Sequence, residues 1–385
     1  KKKNPFFIFF AETVTLAHIA RCIALADKLY VTKKYSIALA ADDRYDKIIG
    51  DSIYQRLPLK SVSSDFFLTK LSKGDPLYSV EILTDYVNND LQLIEQFQPD
   101  FIIGDFRLSL AISSRIKNIP YATITNAYWS PYLDMRYPIP ELPLTKLFGV
   151  IVAEKLFNLV KPVVFSMHSL ALNKTCKKFG IEPLAYDMRE SYTYADYTLY
   201  ADIESLFSMK SYPDNHYFIG PVLWSAKVPL PDWWLSIEEA KPVIFVTLGS
   251  SGDNHLLPLI IDALSSMKIT IICITARTDL LLEGSYNNVY SSDFLPAEEA
   301  VKKADIVICN GGSPMVYQSL VYNKKVIGIP GNLDQYLMMA ILLKSGQGEM
   351  IRSGKLTAKT LQEAVSKLLN IPPKSHKTIE FNSID

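Results

Sequence analysis

The chain reads as α/β, two doubly wound parallel-sheet domains in succession, on three observations. Short apolar runs rich in β-branched residues alternate with helix-period segments along its whole length. The alternation breaks once, just after Gly220, and then restarts. Several apolar runs end in turns of glycine, serine and asparagine, as strands do where an open α/β sheet presents its carboxyl edge.

The length of 385 residues suits two domains better than one, and a hydrophobic content of 49% supplies both cores. Lys+Arg 40 against Asp+Glu 40 leaves no net charge, which argues against nucleic acid as a partner. Cys22, Cys176, Cys273 and Cys309 lie far apart with no CxxC or metal spacing, so a reduced, cytoplasmic setting is expected. Phe6 to Phe10 is too short for the core of a signal peptide and reads as a first strand. The longest apolar stretch, Leu147 to Val164, is interrupted by Glu154, Lys155, Lys161 and Pro162 and cannot span a bilayer. It reads as a core-facing helix, with a peripheral membrane contact left open.

After the first strand, Leu16 to Tyr30 carries apolar residues on one helical side, and Ser36 to Ala40 is the next strand. Val80 to Phe97 is a helix that stops before Pro99. Asp100 to Gly104 is a strand delivering Asp105 to its end. A helix over 108–117 and a strand over 121–125 follow. Asn126 to Pro143 is aromatic and proline-rich, a loop at a sheet edge. Helices fill 144–180, and Tyr197 to Tyr200 is a strand. Pro221, Pro229, Pro231 and Pro242 mark a stretch without periodicity that contains Trp224, Trp233 and Trp234. The expected division is a domain over 1–221, a linker over 222–241, a second domain over 242–370 and a polar tail over 371–385.

In the second domain Val243 to Leu248 is a strand ending in Gly249-Ser250-Ser251-Gly252, and 269–274 is another. Val289-Tyr290 leads to Phe294-Leu295-Pro296. Ile306 to Cys309 is a buried strand running into Asn310-Gly311-Gly312, with Ser313 as helix cap and Pro314 at the first helical position. That helix ends near Tyr322, and Val326 to Ile329 is the next strand. Helices are expected at 333–345 and 358–369. Strand, glycine turn and helix aim backbone N–H groups and a positive dipole end at the sheet edge, an anion site suited to a diphosphate. If the strands before the two small-residue turns are neighbours, both turns can hold one diphosphate. Asp334 and Gln335 pair an acceptor with a donor, as a polyol requires, and Gln318 lies within reach of a ribose. In the first domain His18 stands near a helix N-terminus and Asp105 ends a strand. Together they suit a base and the carboxylate that orients it. Tyr128, Trp129 and Tyr132 suggest a partly apolar acceptor site.

The second half resembles the donor domain of GT-B glycosyltransferases of the UDP-glycosyltransferase superfamily, in a bacterial-type form. VTLGSSG (246–252), FLP (294–296), ADIVICNGGSP (304–314) and GIPGNLDQ (328–335) carry the resemblance. The first half is similar over 16–29 and 99–132. The resemblance implies two Rossmann-like domains facing across a cleft and an inverting, metal-independent sugar transfer that needs no cofactor. The co-substrate is a nucleotide-diphosphate sugar, UDP by family prevalence with TDP or GDP open, and the acceptor a small or lipid-like hydroxyl compound. His18 would deprotonate the acceptor with Asp105 in support. Gly249, Ser250 and Ser251 with Asn310 to Ser313 would hold the diphosphate, Phe294 and Leu295 would meet the base, Gln318 the ribose, and Asp334 with Gln335 the sugar. The family commonly has His and Glu where this chain has Asn310 and Gln318, and often a small hydroxyl residue at Met315. The alternatives are a catalytically silent nucleotide-sugar-binding homologue and a nucleotide-sugar 2-epimerase. Retention of His18 and Asp105 argues against the first.

Overall fold

A computed structural model describes residues 4–209, 211–237, 240–275 and 286–371. The chain divides into two compact units. One holds the chain up to Arg136 together with Lys155–Trp224, and the other holds Tyr137–Glu154 and the chain from Ser225 onward. The expected polar tail lies, but for Ile371, outside the described residues, as do two positions of the expected linker.

The first unit is built on β1 (Phe6–Ala11), β2 (Ser36–Ala41), β3 (Gln55–Pro58), β4 (Phe101–Asp105), β5 (Tyr121–Thr125), β6 (Tyr197–Tyr200) and β7 (His216–Phe218). They form one sheet in the order β3-β2-β1-β4-β5-β6-β7, each pair parallel. Its helices are α1 (Leu16–Val31), α2 (Asp46–Ile49), α3 (Ser64–Lys73), α4 (Val80–Phe97), α5 (Leu110–Lys117), the downstream part of α6 (Pro143–Lys178) and α7 (Met188–Thr193). Strands sandwiched between helix layers must be apolar on both faces. Ile8, Phe10, Ala38 and Ile102 pack to one side, and Phe9, Ala11, Leu39 and Ile103 to the other. Serine caps start α3 and α4: Ser63 accepts from the Phe66 N–H and Ser79 from the Ile82 N–H.

The second unit repeats the plan. β8 (Val243–Thr247), β9 (Thr270–Ile274), β10 (Val289–Ser292), β11 (Ile306–Cys309), β12 (Lys325–Gly328) and β13 (Gly348–Met350) run parallel in the order β10-β9-β8-β11-β12-β13. Around them lie α8 (Leu257–Ser265), α9 (Ala297–Lys303), α10 (Ser313–Val321), α11 (Leu333–Lys344) and α12 (Ala358–Asn370). Within this unit Arg352 donates to Glu141 at 2.7 Å and to the Ile139 carbonyl at 2.8 Å, tying down the segment from Tyr137.

Two findings differ from the sequence expectations. Ser313 is the first residue of α10, and Gly312 takes the cap position. Asn310 is the cause: its Oδ1 accepts from the Gly312 N–H at 3.0 Å and completes the turn one residue early. The second concerns the apolar stretch in α6, expected to face a core. Gly149, at φ +72°, breaks the helix, and Leu147, Ile151, Leu159 and Val163 are 64–76% exposed.

Candidate active site

Parallel pairing sets the site in the first unit. β1 and β4 are in register with Ala11 beside Asp105, and the Glu12 N–H donates to the Asp105 carbonyl at 3.1 Å. Four residues later α1 begins, which puts His18 in its first turn beside the end of β4. His18 Nδ1 lies 2.7 Å from Asp105 Oδ1; the carboxylate is fully buried and the imidazole 16% exposed. Arg21, one turn further along α1, donates from Nε to Oδ2 and from Nη2 to Oδ1, both at 2.7 Å. Beside that bidentate guanidinium the carboxylate is ionised and has no proton to share. The 2.7 Å contact therefore needs its hydrogen on Nδ1, which leaves the lone pair on Nε2.

The network continues along the sheet edge. Arg21 Nη1 donates to Asn126 Oδ1 at 2.8 Å, and Asn126 Nδ2 donates to Asp202 Oδ1 at 3.0 Å. Asp202 also accepts from the Ala127 N–H at 2.5 Å. Residues beyond β4, β5 and β6 are thus joined to α1 through buried polar bonds.

Phe106 completes the arrangement. Its ring stacks on His18 with centroids 4.9 Å apart and planes 9° from parallel, and its backbone is left-handed at φ +57°. A non-glycine residue holds that conformation only when its surroundings force it. Here the neighbours on both sides are fixed. Asp105 is held as above. Arg107, fully buried, pairs with Glu12 at 2.8 Å and with Asp90 at 3.0 Å, and lies over the Tyr86 ring. Burial pushes the Asp90 carboxyl up, while Asp90 and Glu12 hold the Arg107 guanidinium above its ordinary value against its own desolvation. Around Phe106 stand Phe67, Tyr78 and Tyr192, and Trp129 meets Tyr192 edge-on.

The second unit offers different chemistry. β8 and β11 are neighbours, with Thr247 level with Cys309, so the turns 249–252 and 310–313 emerge side by side. Gly249 and Gly311 have φ +63° and +77°. Asn310 Nδ2 donates to Ser251 Oγ at 3.3 Å. No side chain caps the first turn of α10, so its backbone amides face the turn. The Cys309 thiol, pushed up to about 12 by burial, stays protonated and accepts from the Gly311 N–H. It is part of the turn, not a nucleophile.

The remaining candidates fall into two groups. Ser250 and Asp334 are half-buried, Phe294 is exposed, and Tyr132 is exposed with its ring edge-on to His216. Leu295, Gln318 and Tyr128 are buried. Gln335 is engaged at both ends: Nε2 donates to Ser251 O and Oγ at 3.2 Å, and Oε1 accepts from the Gly331 N–H at 2.8 Å. It stitches the loop after β12 to the turn after β8. Sequence reasoning missed Arg21 and Phe106. Arg21 stands three residues after His18 on a helix whose neighbouring positions are apolar, and that spacing was the available signal. Phe106 gave none.

Comparison with known proteins agrees with this geometry. Residues 243–382 match the family model of the glycosyltransferase family 28 C-terminal domain. The chain is similar to a PGL/p-HBAD biosynthesis glycosyltransferase of Mycobacterium tuberculosis (strain ATCC 25177 / H37Ra), 38% identical over 94% of this chain and 84% of that protein. It is also similar to a PGL/p-HBAD biosynthesis rhamnosyltransferase of Mycobacterium bovis (strain BCG / Pasteur 1173P2), 37% identical over 94% and 80%. Among solved structures, the glycosyltransferase of kitacinnamycin superposes with a TM-score of 0.67 at 17% identity, covering 96% of this chain and 92% of that one. Spinosyn rhamnosyltransferase SpnG, complexed with thymidine diphosphate, superposes with 0.65 at 12% identity over the same shares.

Proposed function

The chain belongs to the GT-B glycosyltransferases of the UDP-glycosyltransferase type, and within that family we propose an inverting, metal-independent transferase with His18 as general base. The observation that carries the reading is the 2.7 Å bond from His18 Nδ1 to a carboxylate already neutralised by Arg21. It orients the ring and leaves Nε2 to accept a proton. Nε2 takes the proton of the acceptor hydroxyl as its oxygen attacks the anomeric carbon. The bond from that carbon to the diphosphate oxygen breaks, and the configuration inverts. Imidazolium develops beside Asp105, and the departing diphosphate carries its charge towards the backbone amides of 310–313 and the start of α10. Arg21 acts through Asp105 and is a positioning residue.

For the donor, a UDP-sugar is the first reading. A TDP-linked 6-deoxyhexose is the second. The name of the M. bovis relative and the thymidine diphosphate in the spinosyn rhamnosyltransferase favour it. So does Gln335, whose amide is engaged by Ser251 and Gly331 and leaves Asp334 to meet sugar hydroxyls, fewer of which a deoxysugar offers. The acceptor is a small or lipid-like hydroxyl compound.

The test is a thermal-shift panel of UDP-, TDP- and GDP-sugars on the wild type and on His18→Ala, with donor hydrolysis followed in parallel. A ligand of the folded state present at 1,000 times its Kd stabilises by about 4 kcal/mol. One nucleotide sugar should stabilise both proteins, and hydrolysis should be confined to the wild type. Equal hydrolysis in both would remove His18 from the chemistry, and stabilisation by none would remove the donor assignment.

A further inference from the structure

The part of α6 in the first unit is apolar on two opposite faces. Phe157, Phe165, Leu172 and Cys176 are buried on one. On the other, Leu156, Leu159, Val160, Val163, Met167 and Leu170 follow i, i+3, i+4 spacing and are 38–76% exposed. That stripe runs roughly 21 Å along the axis at 1.5 Å per residue. An exposed apolar row of this length marks an interaction surface, since isolated surface leucines need no partner but a continuous line of them does.

Charge indicates what covers it. From Lys155 to Lys178 the helix carries five lysines and no aspartate or glutamate, in a chain whose charges otherwise balance at 40 and 40. Lys155 stands at the upstream end of the stripe, and Lys174, Lys177 and Lys178 at its downstream end; all four are exposed. No helix among the described residues is long and apolar enough to cross a membrane. An apolar face bounded by lysines and lacking carboxylates is the pattern of a helix lying in a bilayer interface, with side chains among the acyl chains and ammonium groups at the phosphates. A second copy of the chain would instead have to bring two lysine-rich, carboxylate-free helices together.

We propose that residues 155–178 dock this unit on an anionic phospholipid surface, through the stripe from Leu156 to Leu170 and the lysines at its ends. The surface is separate from the His18 network and from the turns of the second unit, so the proposal stands or falls independently of the transferase reading.

The experiment is co-sedimentation of the full chain with vesicles of phosphatidylglycerol and phosphatidylcholine, and with vesicles of phosphatidylcholine alone. The expected result is binding to the anionic vesicles that weakens with added salt, and little to the neutral ones. Binding should be lost in Leu159→Glu/Val163→Glu, with nucleotide-sugar affinity and melting temperature unchanged because both side chains are exposed. If that double variant fails to fold, Lys155→Gln/Lys174→Gln provides the test, with affinity roughly fivefold lower per lysine, the equivalent of ~1 kcal/mol each. Sedimentation equilibrium on the same samples gives the competing outcome. A wild-type dimer that becomes monomeric in Leu159→Glu/Val163→Glu, without vesicle binding, would assign the stripe to a second copy and overturn the proposal. Equal binding to neutral vesicles, or none to either, would overturn it as well.

Discussion

The carboxyl edges of the two sheets share one topology and carry opposite chemistry. In both, the site lies past two adjacent parallel strands, β1 with β4 and β8 with β11. At the first edge, buried charged side chains stand in contact: Asp105 with Arg21, and Arg107 with Glu12 and Asp90. At the second, the two turns consist of glycine, serine and asparagine, joined by neutral amide and hydroxyl bonds. The difference follows from what each must do. A base needs a side chain of fixed tautomer and orientation, and fixing it takes other side chains. An anion needs N–H donors at close range, which the backbone supplies wherever side chains are kept small.

The largest test of this contrast sets His18→Ala against Asn310→Ala. The first should lower transfer by about 10²–10⁴-fold, the usual worth of a positioned acid or base, and leave the nucleotide-sugar thermal shift intact. The second should weaken donor binding by about tenfold, the worth of a hydrogen bond to a charged group, with turnover at saturation retained. If both variants lose kcat alone, the division of labour is wrong.

Arg21→Met comes next. It leaves Asp105 buried beside a single imidazole, and breaking a buried pair in this way costs about 3–5 kcal/mol. Urea unfolding reads that directly, and a midpoint equal to the wild type would mean that the guanidinium contributes nothing to the first edge.

Gly311→Ala probes the second edge by steric means. Its backbone sits at φ +77°, and an added Cβ would meet Met339 Cγ at 2.5 Å. We expect about 1–3 kcal/mol of lost stability from the strained conformation together with weaker donor binding. A folded variant with unaltered donor affinity would show that the turn does not hold the phosphates.

The smallest effect is a pH dependence. Burial lowers the His216 imidazole from its ordinary value. The unfolded chain therefore takes up a proton at this site, near pH 6.5, before the folded chain does. This contribution to stability is complete above that pH and is lost as pH falls through the lower folded value. Melting temperatures between pH 7.5 and 5 should fall less steeply in His216→Asn, and identical slopes would sink the assignment.

The sequence made most of the frame legible. Buried strands such as Ile306–Cys309 stand out because both faces are apolar, and helices such as Val80–Phe97 because one face is. The strands it did not reveal, β3, β7 and β13, lie at or beside sheet edges, are three or four residues long, and bury few side chains. At those places local pattern is weak and neighbouring strands supply the pairing. Of the site, His18 and Asp105 were legible because each follows a strand closely.

What the sequence determined by itself is whatever depends on neighbours in the chain. That includes the α/β alternation, the glycine turns that allow φ above zero, and the motifs that place the chain in its family. Only the tertiary structure decided which groups share a proton or a charge. Arg21 and Asp105 are 84 residues apart in the chain and 2.7 Å apart in the fold. The amide of Gln335 is taken by a serine on another loop. The stripe on α6 remains uncovered although its composition suits a core. Each of these is set by which elements pack together, and that is a property of the sheet order, which local sequence does not encode.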